Sequence, residues 1–198
     1  MVSADMDKGT KPEESTGIAE KLLESRTLVI SGAVDGELAA KVMTQLILLE
    51  HAAPKQRITI LVNSPGGEVY SGFAIYDMVQ FVSTPVVTVV AGLAASMGSI
   101  IPLSAGKGNR FALPHAKFLI HQPLLMGYQG RASDLEIQAN EILKDRDRIV
   151  ELYAEITGKS KDVISKDIDR DKWLSAEEAK DYGLIDRIIA KHSELPKA

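Results

Sequence analysis

Between Asp77 and Lys107 the chain carries no charged residue. A run of that length can avoid water in two ways, by crossing a bilayer as a helix or by lying inside a folded core. Its middle, PVVTVVAGLAASMGSIIPLSAG, favours the core. Pro85 and Pro102 interrupt it, glycine and serine recur, and the first half is rich in β-branched residues. Those residues suit a buried strand followed by a buried helix of small residues. The expected elements are a strand over Pro85–Ala91 and a helix from about Ser96.

The sequence before it follows the same pattern. Ile18–Glu24 reads as a short helix, and Thr27–Ile30 (TLVI) as an apolar strand. Glu37–Glu50 follows as a helix with Leu38, Val42, Leu46 and Leu49 on one face. Ile58–Val62 (ITILV) is a second strand and Tyr70–Val82 a second helix. Continuous apolar strands alternating with helices imply parallel pairing buried on both faces, hence an α/β fold. Further on, Phe118–Ile120 is expected to be a strand and Ala132–Ile156 a long helix opened by the capping pattern Ser133-x-x-Glu136. Ser175-x-x-Glu178 caps another helix that stops at Gly183, and Leu184–Ile189 closes the fold as a strand.

At 198 residues there is room for one substantial domain. The expected division is a mobile polar segment over residues 1–17 and a single domain over residues 18–198. The first residues lack a basic and an apolar signal region, so the expected location is the cytoplasm. A net charge of −4 with scattered Lys and Arg disfavours nucleic acid as a partner. The absence of cysteine removes disulfides, thiolate catalysis and Cys-based zinc sites. No HExxH or HxH spacing occurs either, so no metal site is expected.

Three segments carry chemistry. Asn63-Ser-Pro-Gly-Gly67 directly follows a strand, and its two glycines can leave N–H groups open to a ligand, although a plain strand-to-helix turn would read the same way. Gly92-Leu-Ala-Ala-Ser96-Met-Gly98 places a serine among small residues at a strand-to-helix junction. This resembles a nucleophile elbow, with Ala94 where the strict motif has glycine, and the Met97 N–H would face a developing oxyanion. Close packing alone would also select such small residues. His121 ends an apolar strand, whereas His51 follows a helix, His115 lies in a polar turn and His192 in the tail. His121 is thus the histidine placed to take a proton from Ser96. Such a base needs an orienting acid, and Asp167, Asp169 and Asp171 all qualify by composition, as would any solvated loop.

Together these segments resemble the proteolytic subunits of the ATP-dependent Clp protease family. The shared motifs are NSPGG, GFAIYD (Gly72–Asp77), GLAASMGS (Gly92–Ser99), RFALPHA (Arg110–Ala116) and IHQPL (Ile120–Leu124). YQG (Tyr128–Gly130), DRD (Asp169–Asp171) and SAEEAKDYGLID (Ser175–Asp186) extend the likeness over roughly residues 20 to 190. The resemblance selects Asp171 and implies a Ser96–His121–Asp171 triad with an oxyanion hole made by the amides of Gly67 and Met97. It implies a crotonase-like β/α spiral with a handle over about residues 122–157, in a barrel of two stacked seven-membered rings. Asp169 and Arg170 would tie ring contact to triad geometry. The implied partner is an AAA+ unfoldase that consumes ATP and feeds unfolded chains, with no cofactor in this chain and no membrane or nucleic-acid partner.

Two segments depart from the family pattern. After His121-Gln-Pro-Leu the family continues with two glycines, whereas this chain has Leu125-Met126-Gly127, one residue longer. Met1–Gly17 is polar where the family carries an apolar start. These departures motivate an alternative function, a structural or regulatory subunit in a mixed ring with a paralogue. A crotonase-type acyl-CoA enzyme is a third reading, which would not need the Ser–His–Asp set.

Overall fold

The computed structural model describes residue 17, residues 20–124, residue 127 and residues 129–196. Residues 20–24 are helical. The expected helix start at Ile18, most of the expected mobile segment 1–17, and the insertion at Leu125 and Met126 lie outside the described residues.

Three parallel strands form the first part of the sheet: β1 (Thr27–Val34), β2 (Ile58–Gly67) and β3 (Val86–Ala95). They are joined by α1 (Gly36–Ala52) and α2 (Val69–Phe81). Ile58, Ile60 and Val62 of β2 are fully buried, as continuous apolar strands covered on both faces require. α1 starts where the Asp35 carboxylate accepts the Leu38 amide at 2.8 Å, and it turns Ala39, Val42, Leu46 and Leu49 inward. Leu38, expected on that face, is only half-buried, and Ala39 takes the inner place.

The uncharged stretch becomes β3, then α3 (Met97–Ile100) and a 3₁₀ turn over Ile101–Ser104, with Val86–Val90 and 97–104 buried throughout. Among the described residues no helix is long and apolar enough to cross a membrane.

β3 also divides the sheet. Its first half pairs with β4 (Arg110–Ala112) and its second half with β5 (Lys117–Ile120), both parallel. β4 continues to β7 (Arg187–Ile188), while β5 pairs antiparallel with β6 (Lys172–Ser175). The β5–β6 arm therefore lies beside the C-terminal end of β3, the side on which open α/β sheets build their crevices.

Three helices complete the described chain: α4 (Ala132–Thr157), α5 (Lys161–Asp167) and α6 (Ala176–Tyr182). α4 has 26 residues and is about 39 Å long. Only Ile149, Val150 and Tyr153 near its C-terminus are buried, while Leu135, Ile137 and Leu143 are exposed. The expected cap at Ser133 is displaced. Arg131 is the N-cap and makes no side-chain cap bond, and Ser133 lies inside the first turn. The Arg131 guanidinium instead donates to Asp134 at 2.9 Å. The Ser175–Glu178 box forms reciprocally as expected, and Gly183 ends α6 in the left-handed conformation. The closing strand is only Arg187–Ile188, because Leu184 and Ile185 are buried in the turn before it.

That turn is fixed by an ion pair. Arg110 donates Nη2 to Asp186 Oδ1 at 2.6 Å and Nε to Oδ2 at 3.1 Å, and the side chains are 6% and 14% exposed. The amides of Gly108 and Arg110 also donate to Oδ2, at 2.8 and 3.0 Å. Burial alone would raise the Asp186 carboxyl, but the guanidinium and the two amides outweigh it and hold it below the ordinary carboxylate range. A depressed carboxyl stabilises the fold above its unfolded pKa of about 4, and that contribution is lost as pH falls through the folded value. Asp186→Ala is expected to cost about 3–5 kcal/mol in urea unfolding, because it strands a buried guanidinium. The Arg110→Met/Asp186→Leu double variant is expected to cost far less. Between pH 6 and pH 3 the stability of Asp186→Asn should fall less steeply than that of the wild type.

Candidate active site

Ser96 sits between the last residue of β3 and the first of α3, with φ 52° and ψ −127°. A non-glycine residue in that region stores about 1–3 kcal/mol and persists only where its surroundings determine it. Here the Ser96 amide donates to the Leu119 carbonyl of β5 at 2.9 Å. The Ser96 carbonyl accepts from the Ser99 amide at 2.9 Å and the Ser99 hydroxyl at 2.6 Å. The Ser96 side chain makes no capping bond to α3, so Oγ is not used in holding the turn. Ala94, Ala95 and Gly98 around it are buried. A Cβ at Gly98 would come within 2.8 Å of the Ser64 carbonyl. The small residues thus serve close packing, and the same packing holds Ser96 in its strained conformation.

The Asn63–Gly67 segment is not the turn expected from its glycines. β2 runs on through Gly67, because β1 keeps pairing with it through Ala33↔Gly66 and Val34↔Gly67. Asn63 Oδ1 accepts the Leu93 amide at 3.1 Å. The Ser64 hydroxyl donates to the Gly32 carbonyl at 2.6 Å and accepts the Gly66 amide at 3.1 Å. These side chains stitch β2 to β1 and β3 just outside the apolar ladder. Gly66 has φ 90°, and a Cβ there would lie 2.7 Å from Ser96 Cβ and 3.0 Å from the Met97 nitrogen. Only glycine lets this backbone approach the Ser96–Met97 peptide so closely.

His121 follows β5 directly. In the parallel pairing Ala95 stands beside Leu119, so one further step aligns Ser96 with Ile120, the residue before His121. An open cleft of about 660 Å³ is lined by Val34, Gly66, Gly67, Ser96, His121 and Pro123, among others. A second cleft that also includes the histidine is lined by His121, Gln122, Leu124, Asp169, Arg170 and Asp171. His121 is half-buried and lines both clefts, whereas His51, His115 and His192 are exposed. Among the described residues no hydrogen bond yet joins Ser96 to His121 or His121 to Asp171. Such contacts are often loose before substrate binds.

The three carboxylates separate by their partners. Asp167 is committed: Lys172 Nζ donates to Oδ1 at 2.6 Å and the Tyr182 hydroxyl to Oδ2 at 2.7 Å. Burial alone would raise its carboxyl, but those two bonds outweigh it and hold it below the usual range. Asp169 accepts from Gln122 Nε2 through its carbonyl at 3.0 Å and its carboxylate at 3.3 Å. The Arg170 guanidinium donates to the Asp169 carbonyl at 3.0 Å, and both side chains are exposed. Asp171 immediately precedes β6. The antiparallel ladder ends where Ile120 pairs with Lys172, so His121 and Asp171 are the next residues of the two strands beyond its end, and both line the second cleft.

Asn63, Ser64 and Ser99 fall inside the shared motifs, but sequence reading gave them no role, and each fixes backbone around the Ser96 turn. Their sequence signal is only that a polar residue interrupts an apolar run.

The Clp protease family matches residues 10–192 of the chain. The ATP-dependent Clp protease proteolytic subunit 1 of Protochlamydia amoebophila is 46% identical over 197 residues, covering 98% of this chain and 96% of the relative. The proteins of the same name from Chlamydia muridarum and Chlamydia abortus are 49% and 48% identical over 179 residues. Each of those matches covers 90% of this chain and 93% of the relative. The mostly parallel sheet with its flanking helices is the Clp/crotonase-like fold. With that fold, and with near-full-length identity to those subunits, the chain belongs to the Clp protease family of serine-type peptidases.

Proposed function

We propose that the chain cleaves unfolded polypeptides to short peptides, with Ser96 as nucleophile, His121 as general base and Asp171 as orienting acid. The observation that carries this reading is the position of His121. It lines one cleft with the strained Ser96 and a second with Asp171. In the reaction His121 takes the Ser96 hydroxyl proton as Oγ attacks the scissile carbonyl carbon. The amides of Gly67 and Met97 receive the oxyanion. Collapse of the adduct breaks the C–N bond, and His121 passes its proton to the leaving amine. Water, activated by the same imidazole, then hydrolyses the acyl ester and restores the Ser96 hydroxyl. Asp171 holds the imidazole tautomer and stabilises its protonated form. This chemistry uses side chains and amides alone, with no cofactor in the chain.

The similar proteins are named ATP-dependent, which supports an AAA+ Clp ATPase as the partner that unfolds substrate; the location proposed for both is the cytoplasm. The assembly proposed is two stacked seven-membered rings; the exposed apolar side chains of α4 (Leu135, Ile137 and Leu143) support contact with a further copy, which would cover them. Asp169 and Arg170, exposed beside the His121–Asp171 cleft, are placed to meet a neighbouring subunit. A mixed ring with a paralogue is a second reading, favoured by the numbered subunit names of the similar proteins.

A fluorophosphonate probe tests the site. Wild type and His115→Ala are expected to label at Ser96, and His121→Ala is expected to lose labelling. An assembled wild-type oligomer that fails to label would overturn the active-subunit reading in favour of the mixed-ring one.

A further inference from the structure

Two hydrogen bonds tie the Ser96 turn to α4, and the proposed reaction uses neither directly. Ser99, fully buried in α3, donates its hydroxyl to the Ser96 carbonyl at 2.6 Å. The same Oγ lies 2.8 Å from the phenolic oxygen of Tyr153 in α4. A carbonyl can only accept, so the Ser99 proton is spent on Ser96 and the Tyr153 hydroxyl must be the donor to Ser99. Tyr153 is 1% exposed and burial raises its pKa, so the phenol keeps its proton. The result is a one-way chain from Tyr153 O–H through Ser99 O–H to the Ser96 carbonyl.

The other end of that carbonyl's peptide is the Met97 N–H. A trans peptide is planar, so its carbonyl and N–H point in opposite directions and rotate together. Holding the Ser96 carbonyl toward the buried side of α3 therefore holds the Met97 N–H on the opposite side of the peptide, and Gly66, which lines the cleft, approaches that nitrogen. Ser96 is the residue whose strained backbone would relax by turning this plane. α3 has only four residues, and without the hydroxyl chain one amide bond, from Ser99, opposes that rotation.

We propose that Ser99 and Tyr153 are positioning residues that keep the Met97 amide aimed at the oxyanion, so that the seating of α4 sets the rate of acyl transfer. This rests on the serine-peptidase reading above. Ser99→Ala and Tyr153→Phe each remove one hydroxyl, and both act through the same carbonyl.

The test measures kcat and KM for a short fluorogenic peptide, and the affinity of a peptide boronate, on purified oligomer of wild type, both single variants and the double variant. The boronate adduct is tetrahedral and places an oxygen on the oxyanion donors. Each single variant is expected to lower kcat by about tenfold, less than outright loss of a donor. KM should stay within about twofold, and boronate affinity should weaken by the same factor as kcat. The double variant should be no worse than Ser99→Ala. Single variants with wild-type kcat and boronate affinity, even at a lower melting temperature, would overturn the proposal. So would losses that multiply in the double variant. If Ser99→Ala fails to assemble, Tyr153→Phe decides alone, since it keeps the ring in place. Unchanged variants of an active wild type sink only this inference. A wild type that neither cleaves the peptide nor labels at Ser96 sinks the peptidase reading with it.

Discussion

Replacing Ser96 with alanine is expected to lower kcat/KM toward a short peptide by about 10⁴–10⁶-fold, while the chain still folds and assembles. The loss is large because Ser96 carries the only side-chain hydroxyl among the described residues that line the cleft with His121. The fold survives because no hydrogen bond that holds the turn comes from Oγ. The amide bonds to Leu119 and the carbonyl bonds from Ser99 involve the backbone of residue 96 and persist in alanine. Alanine keeps the Cβ and hence the strain at φ 52°. Ser96→Gly is therefore expected to be equally inactive but more stable than Ser96→Ala, by about 1 kcal/mol in urea unfolding. The pair separates the two roles of the residue. An alanine variant within about tenfold of wild-type activity would remove Ser96 from the chemistry.

Sequence alone reveals the elements whose stability is local or whose burial is complete. β1 to β3 are legible because parallel strands covered on both faces read as unbroken apolar runs, and α1 because its inward positions keep helical spacing. β4 and β6 are not legible. They are three and four residues long, they carry Arg110 and Lys172, and Trp173 is 55% exposed. Nothing in such segments favours a strand until a partner strand is in place. The start of α4 at Ala132 is read correctly, but its cap is not, because Ser133-x-x-Glu136 imitates a cap that Arg131 and Asp134 pre-empt. NSPGG is misread as a turn because the ladder that extends β2 through Gly67 comes from β1, far away in sequence. Ser96 and His121 stand out by residue type, but their supports do not. Ser99 meets Tyr153 across 54 residues, and no local pattern signals that contact.

The same limit explains the ambiguity over the acid, and the structure suggests how to resolve it. Asp171→Asn is expected to lower kcat by about 10⁴-fold with little change in KM, as happens when a histidine base loses the carboxylate that fixes its tautomer. Asp167→Asn is expected to act on stability instead. Its carboxylate holds Lys172 at the start of β6 and the Tyr182 hydroxyl at the end of α6, and neither faces the Ser96 cleft. Losing that pair costs about 1–3 kcal/mol and leaves kcat within about tenfold, provided the assay stays below the variant's melting temperature. The contrast follows from register. Asp171 lies directly beyond the end of the β5–β6 ladder, as His121 does on the facing strand, whereas Asp167 lies at the end of α5, four residues earlier, and is saturated by two donors. Asp169 stays exposed against Gln122 and Arg170, so Asp169→Asn should impair oligomer mass before it impairs the chemistry of assembled rings. If Asp167→Asn loses as much kcat as Asp171→Asn in intact oligomer, the antiparallel register does not set the acid, and Asp171 gives up that role.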